Sequence, residues 1–342
     1  MRRVAGFLAA GALALAGCGS SEAESGGGAA PEGAEKSAFP VTFEHKYGST
    51  TIEAEPKRVV VVGLREQDAL LALGVVPVAT TEWIPGSRGG FYPWAEDALG
   101  DAEPPKLLKA TDGMPIEEIA SLQPDVILGI YSGLTKKEYT TLSKFAPVVA
   151  QPKGKPDFGT SWQEETLLSG RAVGRPEAAE ALVAKTEKLI ADTAAEHPEF
   201  AGKEAAMAMD YQGTFVYGPS DVRSRTLAEL GFKYPKSLRD AFANEYGGQL
   251  SDEKLDELDI DALVWFAEPK GAAKLKRGSF YSQLAVRKEG RDVFIAEKDR
   301  AYKATPFVTV LSLPTVMKEL VPRLAAAIDG DPSTTTDEKP AG

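Results

Sequence analysis

The chain has one cysteine and two histidines in 342 residues. A single cysteine cannot close an intramolecular disulfide, so no disulfide framework holds this fold. His45 and His197 stand alone, one in a predicted hairpin and one at a helix end before Pro198. Neither has other ligand types at metal spacing, which argues against a metal site. Basic residues are outnumbered, 39 Lys and Arg against 50 Asp and Glu, for a formal charge of −11. That balance argues against nucleic acid as a partner. Beyond residue 18 no apolar run is long enough to cross a bilayer. The G-x-S-x-G and P-loop patterns are missing. Ser251-Asp252-Glu253-Lys254 matches the S-x-x-K of penicillin-interacting enzymes, and a cell-wall hydrolase is the alternative of another class. Four residues are a weak pattern, and Ser251 as a helix N-cap explains it more simply. The expectation is a protein that is not an enzyme and carries no covalent cofactor.

What is present begins at the N-terminus. Arg2 and Arg3 precede an uncharged run from Val4 to Gly17, the right length for a signal-peptide core and too short to span a membrane. It ends Leu15-Ala16-Gly17-Cys18, which resembles a bacterial lipobox. Cys18 is therefore expected to be lipidated and to anchor the chain on the extracytoplasmic face of the cell membrane. Expected divisions are a signal peptide over 1–17, a lipidated disordered tether over 18–39, an α/β lobe over 40–160, a connecting helical segment over 161–198, a second α/β lobe over 199–330 and a disordered tail over 331–342. The tether and tail are rich in small and polar residues.

Thr42 to Ile52 alternates around Gly48-Ser49 and predicts a β-hairpin. Arg58-Val59-Val60-Val61-Val62-Gly63 predicts a strand buried on both faces. A helix ending at Leu73-Gly74 and a short strand over 75–79 follow, the alternation of parallel α/β packing. Two segments then recur. Leu70-Leu71-Ala72-Leu73-Gly74-Val75 is echoed by Leu227-Ala228-Glu229-Leu230-Gly231-Phe232. Glu117, Ile119, Leu122 and Asp125 recur at the same spacing as Glu253, Leu255, Leu258 and Asp261. Two echoes in one order predict two similar lobes. Between them, Pro176 to His197 carries an apolar stripe at helical spacing and predicts a long, stiff connecting helix.

These features together resemble the substrate-binding lipoproteins of iron–siderophore ABC importers, a family that includes cobalamin and haem binders. The most recognisable stretch runs from Pro115 to Leu128 and contains Leu122-Gln123-Pro124-Asp125 before a strand. Leu250 to Leu255 matches its counterpart in the second lobe. Lys57 to Val61 and Phe307 to Ser312 also look like the family, and the tracts 85–90 and 154–162 look like its actinobacterial branch. The resemblance implies a class III periplasmic-binding-protein fold, two α/β lobes with mainly parallel sheets joined by one rigid helix. It implies a monomeric receptor that binds a ferric siderophore between the lobes and passes it to an ABC permease with its ATPase. Cobalamin or haem is the alternative ligand.

Acidic residues in a first helical turn suit the helix dipole, so Glu117 and Glu253 have a purely structural reading. The resemblance implies another, that one glutamate on each lobe docks into the permease. For the ligand, aromatic and basic residues in loops after strands are the candidates: Trp83, Arg88, Trp94 and Tyr131 in the first lobe, and Tyr217, Arg223, Arg225, Tyr246, Trp265 and Tyr302 in the second. Arginine and tyrosine hydrogen-bond ligand oxygens, and tryptophan covers apolar arms. The chain is acidic and has no dense basic cluster. A hydroxamate siderophore is therefore expected over a highly anionic catecholate complex.

Overall fold

Val59, Val60 and Val61 are buried on both faces, as a continuous apolar run requires of a central parallel strand. In the computed structural model, which describes residues 33–110, 113–242 and 246–334, they form the middle of the first of two five-stranded sheets. The signal peptide, Cys18, most of the tether and the tail beyond 334 lie outside the described residues. A hairpin of β1 (Val41–His45) and β2 (Gly48–Ile52) leads in. Its turn is Lys46-Tyr47, with Gly48 already paired to His45, two residues earlier than the Gly-Ser turn that the sequence suggests.

The first sheet contains β3 (Val59–Val61), β4 (Ala79–Thr81), β5 (Lys106–Leu108), β6 (Val126–Gly129) and β7 (Val148–Ala150), in the order β5-β4-β3-β6-β7 and parallel throughout. β4 begins where the expected strand over 75–79 ends. The second sheet contains β8 (Ala205–Asp210), β9 (Thr214–Tyr217), β10 (Gly247–Leu250), β11 (Ala262–Phe266) and β12 (Asp292–Ile295). Its order is β10-β9-β8-β11-β12, with β9 antiparallel to both neighbours and the β8-β11-β12 run parallel. The fold is α/β with two mainly parallel sheets, as the resemblance implied.

Both sequence echoes have a structural basis. Helices Glu66–Ala72 and Val222–Glu229 each run out at a glycine with positive φ, Gly74 at 74° and Gly231 at 102°, a backbone conformation that a side chain would strain. In the second echo, helix Ile116–Ser121 precedes β6 and the 3₁₀ segment Asp252–Leu258 precedes β11. Ile119 and Leu258 are wholly buried. The carboxylate of Asp125 accepts the backbone N–H groups of Lys57 (2.8 Å) and Arg58 (2.9 Å), just before β3. The carboxylate of Asp261 accepts that of Glu204 (2.8 Å), just before β8. Each aspartate thus ties the entry of its own strand to the entry of the neighbouring one.

The connecting helix is Pro176–Glu196, 21 residues and about 32 Å long. Ala179, near its start, packs in the core of the first lobe, whereas Val183 and Ile190 pack in that of the second. The helix is therefore seated in both cores. Arg175 at its N-cap supplies no side-chain cap. Glu35 does so instead, accepting from the backbone N–H groups of Glu177 (2.9 Å) and Ala178 (3.0 Å), while its own N–H donates to the Gly174 carbonyl (2.7 Å). Such caps contribute about 1 kcal/mol. Residues 33–39, expected to belong to the disordered tether, are thus fastened to the fold from Glu35 onward. A tether signature read from composition misses one carboxylate placed against a helix terminus.

Candidate functional site

The carboxyl ends of the parallel strands in the first lobe supply one wall of a cleft. Leu64 follows β3, Trp83 follows β4, Tyr131 follows β6, and Asp157 and Phe158 follow β7. The facing wall is Asp221, Val222 and Arg223 at the start of helix Val222–Glu229, with Tyr246 just before β10. The cleft encloses about 280 Å³. Four expected ligand contacts meet there, two from each lobe: Trp83, Tyr131, Arg223 and Tyr246.

Charges in the cleft are paired. Asp221 caps its helix through the Arg223 N–H (2.8 Å), and both its oxygens accept from the Arg223 guanidinium at 3.0 Å. Across the mouth, Asp157 meets Lys46 Nζ at 2.7 Å. The Arg223 guanidinium lies 4.0 Å from the centre of the Tyr217 ring, so Tyr217 supports it from beneath. Burial raises the Tyr217 and Tyr131 hydroxyls above their ordinary pKa, which keeps both neutral.

The other expected contacts stand elsewhere. Trp265 requires correction: it is fully buried and donates through Nε1 to the Tyr281 hydroxyl at 2.8 Å, within a core on the far face of the second sheet. Strand alternation explains this, since its neighbour Phe266 faces the side where Tyr217 and Tyr302 pack, and successive side chains point oppositely. Tyr217 is mostly buried, and half-buried Tyr302 lies edge-on to Phe266. Trp94 lies stacked on Tyr92, outside the cleft lining, with Nε1 bonded to Asp68 at 2.8 Å. Arg225 lines a separate cavity of about 80 Å³ with Trp162 and Glu229. Arg88 is exposed in the long first-lobe loop, its N–H bonded to the Phe91 carbonyl. Glu117 and Glu253 are both exposed in first helical turns. Ser251 occupies an N-cap position without a side-chain cap bond, and Lys254 instead pairs with Glu257 at 3.2 Å.

Phe158 was missed. It is partly exposed, lies edge-on to Tyr131 and holds a φ of 57°. That conformation is costly for a bulky residue and recurs at ligand clamps. Only its company of glycines and prolines hinted at it in the sequence. Among the described residues, no group of three or more His, Cys, Asp and Glu could hold a metal ion, and no helix is long and apolar enough to cross a membrane.

Below Tyr131 lies a buried polar cluster. Arg65, Glu66, Asp68 and Glu165 are almost wholly excluded from solvent. Glu66 folds over Gly63, where any Cβ would strike its carboxylate, and accepts the Tyr131 N–H at 2.9 Å. Burial raises Glu66 and Glu165 above the usual carboxylate range, with Arg65 opposing the rise. Asp68 accepts from Trp94 and from Thr309 Oγ1 (2.6 Å), yet burial pushes it from 3.8 to about 6. A carboxyl raised in the folded state stabilises fully below its unfolded pKa, and that stability is lost as pH rises through the folded value. The difference is about 3 kcal/mol. Asp68→Asn removes this titration, so wild type should lose about 2 kcal/mol of that difference relative to the variant between pH 4 and pH 7. Paired urea melts across that range test it, and parallel pH curves would contradict it.

Known proteins share this architecture. The model of the periplasmic binding protein family matches residues 59–308. A periplasmic solute binding protein from Mycobacterium smegmatis is 33% identical, with 84% of this chain and 98% of that one covered and a TM-score of 0.74. The iron-uptake protein PiaA from Streptococcus pneumoniae, solved in complex with ferrichrome, is 26% identical over 85% of this chain and 99% of that one, with a TM-score of 0.73. YfiY of Bacillus subtilis, named as a probable siderophore-binding lipoprotein, is 27% identical over 239 residues, 68% of this chain and 70% of the relative. With the family model spanning both sheets and the helix between them, this chain belongs to the periplasmic binding protein family.

Proposed function

We propose that the chain is an extracytoplasmic receptor that binds a ferric siderophore of the hydroxamate type between its lobes and delivers it to an ABC permease and ATPase. Lipidation at Cys18 would hold it to the membrane. One observation carries the ligand reading. The cleft has aromatic walls, Trp83, Tyr131, Phe158 and Tyr246, and its Arg223 and the Lys46 at its mouth are each already paired with an aspartate. Three monoanionic hydroxamates neutralise a ferric ion, whereas three dianionic catecholates leave a trianion. A cleft with balanced charge suits the neutral complex, whose apolar arms the aromatic rings would cover. A relative named for siderophore binding and one solved with ferrichrome support a ferric siderophore as the ligand.

Calorimetry with paired ligands tests this. A ferric trihydroxamate should bind with sub-micromolar Kd, about −8 kcal/mol or tighter. Arg223→Gln should weaken it by about 1.5–3 kcal/mol, the range for a hydrogen bond to a charged group. A ferric tris-catecholate or a ferric citrate complex binding tenfold tighter than the trihydroxamate would overturn the choice.

A further inference from the structure

Arg65 never reaches the cleft surface, yet it contacts the supports of both lobes. Its Nη2 donates to the Thr160 carbonyl at 3.0 Å, just past Phe158 in the first lobe. Its Nη1 donates to the Phe307 carbonyl at 2.9 Å, at the end of helix Arg300–Phe307 in the second lobe. Its Nε lies 3.3 Å from Glu165. The guanidinium face stands 3.4 Å from the centre of the Tyr131 ring, which lines the cleft. The Phe307 ring in turn packs on Trp83 at 4.9 Å and Trp94 at 5.1 Å. Val308 follows in the left-handed region at φ 47°, costly for a β-branched residue, and Thr309 is bonded to Asp68. Residues 307–309 are thus fastened to the start of helix Glu66–Ala72 at two points.

We infer that Arg65 is the positioning residue of the cleft, fixing Tyr131 by stacking on it and Trp83 through Phe307, across the boundary between the lobes. The effect on ligand rests on the reading that this cleft binds a ferric siderophore; the effect on the aromatic side chains does not. Only arginine meets the geometry, because a planar guanidinium donates in several directions while its face lies on a ring. Lysine keeps the charge beside Glu165 and loses the fork and the stack.

The test uses the full chain labelled with 5-fluorotryptophan, whose Trp83 resonance is assigned with Trp83→Phe and Trp94 with Trp94→Phe. In ligand-free protein, Arg65→Lys should move the Trp83 and Trp94 fluorine resonances by more than a linewidth and leave Trp265, on the far face of the second sheet, in place. Binding of a ferric trihydroxamate should weaken about tenfold. Combined with Tyr131→Leu, which removes one of the two rings that Arg65 supports, the effect of Arg65→Lys should fall below its own tenfold, whereas it should multiply with that of Tyr246→Ala, which touches none of these contacts. Unmoved Trp83 and Trp94 resonances, or full multiplication with Tyr131→Leu, would overturn the inference. If Arg65→Lys does not fold, Glu165→Gln, which keeps the guanidinium and removes the carboxylate charge 3.3 Å from its Nε, must produce the same resonance pattern. A wild-type chain that binds no ferric siderophore would defeat the proposed function while the fluorine spectra still decide the role of Arg65.

Discussion

Lysine at both Glu117 and Glu253 is expected to reduce siderophore-dependent iron uptake to background while ferric-siderophore affinity stays within about twofold. Every other member of the repeated tetrads is packed inward or bonded: Ile119, Leu122, Leu255 and Leu258 pack into cores, and Asp125 and Asp261 fasten neighbouring strands. The two glutamates are exposed, and among the described residues their side chains make no hydrogen bond or ion pair. Under the proposed function, one exposed carboxylate per lobe would match a permease of two equivalent subunits. Truncating one partner of a desolvated, hydrogen-bonded charge pair costs about 2–5 kcal/mol. Reversal at two such sites would therefore suppress productive docking by several orders of magnitude. The dipole reading predicts something different, a stability loss of about 0.3–1 kcal/mol per site with transport intact. Radiolabelled iron uptake in cells that rely on this receptor, with calorimetry and melting curves on the purified variant, separates the two. Uptake at wild-type rate would reject docking, and collapse of affinity would mean that the glutamates belong to the cleft.

Buried and periodic parts of the fold were legible from residue types. Val59 to Val61 announced a central strand, and the glycines at 74 and 231 announced helix ends. The stripe along the connecting helix turns inward in the expected register, with Ala179, Val183, Thr186 and Ile190 buried. The second echo was legible because spacing survives where identity does not. Sites were harder. Of the candidates, Trp83, Tyr131, Arg223 and Tyr246 line the cleft. Loop position alone does not separate them from Trp94 and Arg225, because side-chain direction in loops depends on tertiary contacts. The Arg65 cluster gave no signal, since Arg-Glu-Gln-Asp opening a helix reads as solvated surface. Its burial follows from the segment 307–309, some 240 residues away along the chain, crossing over it. Glu35 failed for the same reason, being an acidic residue in a polar tract whose partner is a distant helix terminus.

Truncating Trp265 should destabilise the protein by about 3–5 kcal/mol and leave ligand affinity within about twofold. Its ring is completely enclosed and lies edge-on to Tyr281, with centroids 5.7 Å apart at 85°. The Tyr281 hydroxyl accepts from Trp265 and donates to Asp292 at 3.0 Å, and Asp292 pairs with Arg287 at 2.9 Å. Burial raises both Tyr281 and Asp292 above their ordinary pKa, so these groups depend on one another for hydrogen bonds where water does not reach. Trp265→Ala removes the packing and one donor of this chain together. Trp265→Phe keeps most of the packing and loses only the donor, so it should cost about 1–2 kcal/mol. None of these groups lines the cleft, and the sheet stands between them and Tyr217 on its other face. Denaturant melts of the two variants give the stability ladder, and titration of each folded variant with a ferric trihydroxamate gives the affinity. A tenfold loss of affinity in a variant that still melts cooperatively would put Trp265 back among the ligand contacts and contradict the parity of β11.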